Sequence, residues 1–353
     1  MDRGTKSTVL VTGGAGYIGA HTAKALHEQG YLPVVYDNLS SGFREAVRWG
    51  PLVHGDIRDA AALSEAIETY DIKAVIHFAG LIEVGRSTVK PDLFWEINVA
   101  GTINLLKVMR EREVKRLVFS SSAAVYGQGD RSAQETIAED GLKAPASPYG
   151  DTKLAAEWMI AAQCRAYGLT AVALRYFNAA GADRSALIGE AHEPETHLIP
   201  LAIAAALGDG RPLTVFGQAF QTPDGTCLRD YIHVTDLASA HVAALKVELG
   251  EGAFEALNVG TGEGRSVMQV VDAVARAAGC AVPHSMGEPR AGDPPSLVAN
   301  ASRARALLGW TPQHSSLREI VEDALRWERS PAFGCGVRGA TGRRSAQIVI
   351  PTR

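Results

Sequence analysis

Tyr149 and Lys153, in Ser147-Pro148-Tyr149-Gly150-Asp151-Thr152-Lys153, are spaced four residues apart. On a helix that spacing puts both side chains on one face, a turn apart. An ammonium there favours the ionised phenol and makes Tyr149 a base near neutral pH. For that the phenol pKa has to fall from about 10 by roughly 3 units, or about 4 kcal/mol. Lys153 plus a positively charged ring in a site screened from water are the expected sources. Upstream, Leu117-Val118-Phe119 runs into Ser120-Ser121-Ser122, an apolar strand ending in hydroxyls. A hydroxyl at that end points into a cleft, and Ser122 is the choice for binding the reacting oxygen. Ser120 and Ser121 have the alternative role of capping the strand end. A base, an ammonium and a hydroxyl of this kind suit hydride chemistry on an alcohol.

Such chemistry needs a dinucleotide. Gly13-Gly14-Ala15-Gly16-Tyr17-Ile18-Gly19 follows the strand Val9-Leu10-Val11 and opens a helical stretch. Its glycines let the backbone approach a pyrophosphate seated on the helix N-terminus. The loop alone is a weak signal, because glycine-rich turns also serve packing. The next strand adds Tyr36-Asp37-Asn38, an acid about 20 residues past the loop, where the dinucleotide fingerprint has one. Asp37 accepts from an adenosine ribose and repels a 2′-phosphate, which favours NAD over NADP. Asp56-Ile57 ends a third strand; Asp56 either meets an adenine edge or caps the helix near Ala60. His77-Phe78-Ala79-Gly80 closes a fourth strand with small residues that leave room for the cofactor, and His77 reads as a buried, hydrogen-bonded histidine.

Around these segments, short apolar runs (Val9–Val11, Leu32–Tyr36, Leu52–Val53, Ala74–Phe78, Leu117–Phe119, Ala171–Leu174) alternate with helical stretches at Ala20–Glu28, Ala60–Glu68, Pro91–Arg110 and Tyr149–Tyr167. That alternation predicts an α/β fold, a Rossmann-type doubly wound parallel sheet. From about Gly181 the rhythm breaks into loops at Gly189–His197 and Gln218–Gly225, then isolated strands and helices. The division is residues 1–180 as a dinucleotide domain and 181–330 as a smaller C-terminal substrate lobe, some of whose segments return to the sheet. Residues 331–353 have neither periodicity and read as a disordered tail.

With 353 residues and a net charge of −4, the chain has no global basic footprint for nucleic acid. No segment approaches a membrane span or a signal peptide. Cys164, Cys227, Cys280 and Cys335 are scattered, which fits spare thiols in a reducing, cytoplasmic setting. The ten histidines form no HExxH-like cluster, so no metal is expected.

The motifs quoted, with Arg175-Tyr176-Phe177-Asn178, Arg229-Asp230-Tyr231-Ile232-His233-Val234 and the stretch Arg290 to Asp293, resemble the extended short-chain dehydrogenases/reductases and, within them, the UDP-glucose 4-epimerase family. The resemblance covers about Thr8 to Glu328. It implies tightly held NAD, regenerated in each turnover, and reversible inversion at C4 of a UDP-hexose (UDP-galactose to UDP-glucose) through a 4-keto sugar. Tyr149, Lys153 and Ser122 would be catalytic. The cofactor would meet Gly13, Gly16, Tyr17, Ile18, Gly19, Asp37, Asn38, Asp56, Ile57, Phe78, Ala79, Gly80, Asn98, Tyr149, Lys153 and Tyr176. For the UDP-sugar the resemblance implies Ser122 and Tyr149 at the sugar, Arg229 and Arg290 on the diphosphate, Asn178 on a phosphate oxygen, Asp293 on the uridine ribose, and Leu198 and Phe216 flanking the uracil.

Two positions depart from the best-known bacterial pattern. Ile82 stands where a cofactor-contacting lysine occurs, and Leu297 holds the position thought to limit sugar size; non-acetylated hexoses are favoured. Ala123 and Ala124 follow Ser122 where a nucleotide-sugar 4,6-dehydratase has an acid and a base, which argues against dehydration. Two rivals stay open: epimerisation or decarboxylation of UDP-glucuronate or a UDP-pentose, and a non-catalytic NAD sensor or scaffold on the same fold. The helices around Leu93–Arg110 and Tyr149–Tyr167 carry apolar residues beyond one face. Family likeness suggests that they pair across a homodimer; burial within one subunit is the alternative.

Overall fold

The structure is a computed structural model and describes residues 7–127, 135–289 and 293–333. In chain order the strands are β1 (Thr8–Thr12), β2 (Leu32–Asp37), β3 (Leu52–His54), β4 (Ala74–His77), β5 (Arg116–Ser122), β6 (Thr170–Tyr176), β7 (Asn178–Ala180), β8 (Leu213–Phe216), β9 (Leu228–His233), β10 (Phe254–Val259), β11 (Gly264–Ser266), β12 (His284–Gly287) and β13 (Ser296–Leu297). The helices are α1 (Tyr17–Glu28), α2 (Ala60–Thr69), α3 (Val84–Val89), α4 (Pro91–Phe94), α5 (Gly101–Glu111), α6 (Pro148–Tyr167), α7 (Leu198–Leu207), α8 (Val234–Lys246), α9 (Val267–Ala278), α10 (Ser302–Leu308) and α11 (Leu317–Arg329).

Seven strands pair in parallel in the order β10-β6-β5-β4-β1-β2-β3. Successive side chains of a strand face opposite sides. Thus Leu10, Val34, Val75 and Leu117 pack against Leu63 of α2, Leu105 of α5 and Ile160 of α6. Val9, Val11, Ile76 and Val118 face the other way, onto Leu26 of α1 and Leu237 of α8. Burial on both faces is why these strands are uninterrupted apolar runs. The strand order reverses between β1 and β4, so a crevice opens at their C-terminal ends.

A second layer holds β9 between β11, β13 and β7, with β8 and β12 as a separate pair. Ile203 of α7, Val270 and Val274 of α9 and Ile320 of α11 form its core with Val215 and Tyr231. Buried Asp230 fastens this layer by accepting hydrogen bonds from the N–H groups of Thr261, Gly262 and Ala299, at 2.9, 3.0 and 3.1 Å.

One expectation needs correction. The helix expected over Pro91–Arg110 is interrupted by a π-helical turn, Trp95–Ala100, between α4 and α5. At the start of the tail, expected to be disordered or weakly attached, the Phe333 ring lies 5.4 Å from Phe43 and 5.0 Å from Trp327. Residues 334–353 of that tail, and Arg290, lie outside the described residues.

Candidate active site

The base arises from how α6 begins. Ser147 caps it, accepting from the N–H of Gly150 at 3.2 Å, and Pro148 occupies the first turn. Tyr149 and Lys153 follow on one face, both buried. The Ser122 side chain is near enough to the Tyr149 phenol to oppose the effect of burial on it. Ser122 Oγ also accepts from the N–H of Ala124 at 3.1 Å, which fixes the rotamer facing Tyr149. The other two hydroxyls of the run have different partners. Ser120 Oγ and the Tyr176 hydroxyl share a 2.6 Å hydrogen bond, and Ser121 Oγ donates to Glu157. The structure thus gives the three serines different partners.

Lys153 Nζ donates to the Ser120 carbonyl at 2.8 Å and stands 5.9 Å from the centroid of the Tyr149 ring. Burial lowers the ammonium pKa to about 8, opposed by the Glu157 carboxylate. Glu157 itself is held by Arg175, whose Nε and Nη2 donate at 2.9 and 2.6 Å. The Tyr149 phenol departs from the expectation. Burial raises its pKa above the usual value, and the Ser122 side chain only partly offsets that. Burial therefore outweighs the neighbouring side chain at this phenol.

The Gly-rich loop turns between β1 and α1. Gly13 has φ +70°, and a Cβ there would come within 2.6 Å of the Ala79 nitrogen, so the loop lies directly on the end of β4. By contrast, a Cβ on Gly16 would meet little except the Gly13 carbonyl at 3.3 Å. Gly16 is the N-cap of α1 and gives it no side-chain hydrogen bond. That cradle of open space and first-turn N–H groups at Tyr17, Ile18 and Gly19 fits a pyrophosphate. Asp37, at the end of β2, accepts from the N–H groups of Ala15 and Leu39 at 2.9 and 2.8 Å. Each oxygen then has one partner and a lone pair left for a ribose hydroxyl. Burial raises its pKa.

Asp56 is not the cap of α2, which closes one of its two readings. Asp59 is the cap, accepting from Ala61 and Ala62, both at 3.0 Å. Asp56 instead accepts from Arg58 and from Asn38 Nδ2 at 3.0 Å, and the Arg58 hydrogen bond holds its carboxyl far below the usual range. Ile57 is buried next to it. His77 is buried between Thr12 Oγ1, 2.7 Å from Nδ1, and Thr102 Oγ1, 3.0 Å from Nε2. Burial first and Lys153 second lower its pKa to about 3, so it is neutral. Phe78 and Ala79 hang from the Thr12 carbonyl by their N–H groups, at 2.9 and 3.1 Å, and Gly80 faces Asn98. The π-helical turn carries Asn98 inward, where its amide binds the Leu81 backbone and Thr152. Asn98 thus supports the crevice floor through protein partners.

The expected substrate residues come from the second layer. Arg229 Nη1 donates to the carbonyls of Leu228 and Pro294 at 2.8 and 3.0 Å, and Nη2 lies 3.5 Å from Asp293. Asn178 Nδ2 donates to the Asp230 carbonyl at 3.1 Å, beside the pairing of β7 with β9. Leu198 opens α7 and Phe216 ends β8. Sequence reasoning missed one grouping: Glu190, His192, Glu195 and His197 converge in the loop before α7. The alternating Glu-x-His and Glu-x-His pairs were its only trace, and their spacing matches no standard metal motif.

The parallel sheet, the crevice at its reversal point, the Gly-rich loop with Asp37 and the Ser122–Tyr149–Lys153 grouping define a dinucleotide-binding fold of the short-chain dehydrogenase/reductase type. Residues 9–260 match the model of the NAD dependent epimerase/dehydratase family. The chain belongs to that family, and its cofactor is NAD. It is 46% identical to a UDP-glucose 4-epimerase of Halalkalibacterium halodurans over 92% of this chain and 97% of that protein. Among solved structures, the UDP-glucose 4-epimerase of Brucella ovis in complex with NAD is 50% identical, with a TM-score of 0.87 over 91% of this chain and 98% of that one. One from Stenotrophomonas maltophila, with bound NAD and formylated UDP-arabinopyranose, is 39% identical, with a TM-score of 0.88 over 92% and 98%.

Proposed function

We propose that this chain catalyses the NAD-dependent, reversible epimerisation of a UDP-hexose at C4, interconverting UDP-galactose and UDP-glucose through a 4-keto sugar. The observation that carries this reading is the meeting of buried Tyr149 and Lys153 with Ser122 at the end of β5, at the mouth of the crevice. Bound NAD supplies the acceptor and then the donor of the C4 hydride. Tyr149 takes the proton of the 4-hydroxyl and later returns it. Ser122 holds the same oxygen through both halves of the reaction. Lys153 stabilises the phenolate and grips the cofactor ribose. Arg229, Arg290 and Asn178 hold the diphosphate, Asp293 the uridine ribose, and Leu198 and Phe216 the uracil, so the hexose alone turns to offer its other face.

In this reading residues 1–180 hold NAD and 181–330 receive the UDP-sugar, while α8 and β10 serve the first unit. Trp95, Ile103 and Trp158 are exposed on neighbouring helices, which supports pairing of two copies through α5 and α6. No helix among the described residues is long and apolar enough to cross a membrane. The free thiols of Cys164 and Cys280 support a reducing, cytoplasmic setting.

The test is incubation of the purified chain with UDP-galactose, with no added NAD. Formation of UDP-glucose to an equilibrium mixture supports the reaction and a retained, self-regenerating cofactor. Activity only with NAD added keeps the reaction but makes the cofactor dissociable. Silence in both cases overturns the reading, and UDP-glucuronate or a UDP-pentose becomes the substrate to test.

A further inference from the structure

The loop between β7 and α7 gathers four side chains that the proposed chemistry does not use. Glu190, His192, Glu195 and His197 each turn one ligand atom toward a common centre, and these atoms all lie within 4.8 Å of one another. His197 Nδ1 lies 2.8 Å from Glu190 Oε1 and 2.9 Å from Glu195 Oε1. His192 Nδ1 lies 3.2 Å from Glu190 Oε1 and 3.7 Å from Glu195 Oε2.

His197 Nδ1 and Glu195 Oε1 are hydrogen-bonded, but two other atoms of the cluster have no hydrogen-bond partner among the described residues. The Glu195 side chain is only 10% exposed, yet its Oε2 has no hydrogen-bond partner among the described residues. His192 Nδ1 is likewise buried and unpartnered among them. A buried carboxylate oxygen aimed at an imidazole nitrogen with no bond between them calls for something to bridge them. A tetrahedral ion with bonds of about 2.0–2.2 Å keeps its ligand atoms roughly 3.3–3.6 Å apart. The four contact distances fall on both sides of that spacing, so side-chain shifts of about 0.5–1 Å would close a coordination shell.

We propose that Glu190, His192, Glu195 and His197 bind one divalent transition-metal ion, zinc by preference, through two imidazoles and two carboxylates. The donor set excludes the hard ions, since magnesium and calcium take oxygen ligands. Zinc accepts nitrogen and oxygen together and imposes no geometry of its own. His197 is the open side of the cluster, with 45% of its side chain exposed, and gives the ion a way in. On the closed side the His192 ring meets Tyr17 edge-on at 6.3 Å, and the Tyr17 hydroxyl donates to the Gly181 carbonyl at 2.6 Å. The ion ties the two ends of the 190–197 loop to each other, with His192 packed edge-on against Tyr17, and its role is structural.

Tag-free, full-length protein, stripped with chelator, is dialysed against zinc chloride and its metal content measured. The expected result is one zinc per chain, with affinity reduced at least 100-fold in a His192→Ala/Glu195→Gln variant. Cobalt(II) on the wild-type chain gives a second measurement that needs no variant: it should show the intense visible bands of a tetrahedral site. Equal zinc content in wild type and variant would assign the ion elsewhere, for instance to exposed Cys280, and overturn the proposal. Failure to retain zinc, or a cobalt spectrum of the hexa-aquo ion, would do the same and leave the cluster as a network of ion pairs.

Discussion

Glu157 stands one helical turn beyond Lys153 on α6, and its carboxylate is the group that supports the buried ammonium against its loss of solvation. Tyr149, Lys153 and Glu157 thus form a ladder of phenol, ammonium and carboxylate at intervals of four residues. Arg175 and Ser121 anchor the last rung. The Tyr149–Lys153 pair at the mouth of the crevice is therefore tied to a buried ion pair at its floor.

Replacing Tyr149 by Phe removes the proton acceptor and leaves the ring. Turnover should fall by roughly 10²- to 10⁴-fold, while the bound NAD, measured after release by heat, stays at the wild-type ratio. Unchanged turnover would rule out Tyr149 as the base.

Glu157→Gln should act on stability and on the pH profile together. It strands Arg175 in a site where both partners are about 95% buried, at a cost of about 3–5 kcal/mol in urea unfolding. It also removes the carboxylate that supports Lys153, so the alkaline fall in kcat should begin at lower pH than in the wild type. A stability loss with no movement of the alkaline limb would separate Glu157 from the catalytic lysine.

Acid should destabilise the chain through three histidines. His21, His77 and His241 are buried, and burial lowers their pKa values to about 4, 3 and 4. Between pH 6.5 and those values the unfolded chain binds protons that the folded chain does not, so stability falls as pH falls through that window. Each contributes up to about 1.4 kcal/mol per pH unit. The urea midpoint should drop steeply below pH 6.5, and His241→Gln should lessen the slope.

Leu297 pairs with Arg229 in register and packs beside Phe177 against Ala123, Val125 and Tyr126. This places it between the proposed diphosphate contact and the catalytic serine's own loop. Leu297→Ala should raise kcat/KM for UDP-N-acetylgalactosamine about 10-fold relative to UDP-galactose. If the ratio does not move in paired assays, Leu297 does not bound the sugar.

The large sheet was legible because its strands are buried on both faces and so appear as unbroken apolar runs. β9 was not, since Leu228-Arg229-Asp230-Tyr231 spends its side chains on polar contacts, Asp230 above all. α7 was hidden by Pro200, which breaks a helix interior but is tolerated in the first turn it occupies. The π-helical turn at Trp95–Ala100 has no periodicity of its own over six residues. At the site, types and spacing nominated Tyr149, Lys153, Asp37 and Ser122. The separate partners of Ser120 and Ser121, and of Asp56 and Asp59, came only with the structure. The cluster around Glu195 depended on a loop path that no local pattern encodes.

The outermost strand of the large sheet, β10, is made of residues 254–259 and pairs with β6, residues 170–176. During synthesis the first six strands emerge well before the seventh, with β7, α7, β8 and β9 of the second layer made in between. Until residue 259 has left the ribosome, β6 presents an open row of backbone donors and acceptors, the kind of edge on which chains join one another. Nascent chains stalled near residue 250 should therefore be the aggregation-prone species, and the sheet closes only after much of the lobe that covers it has been made.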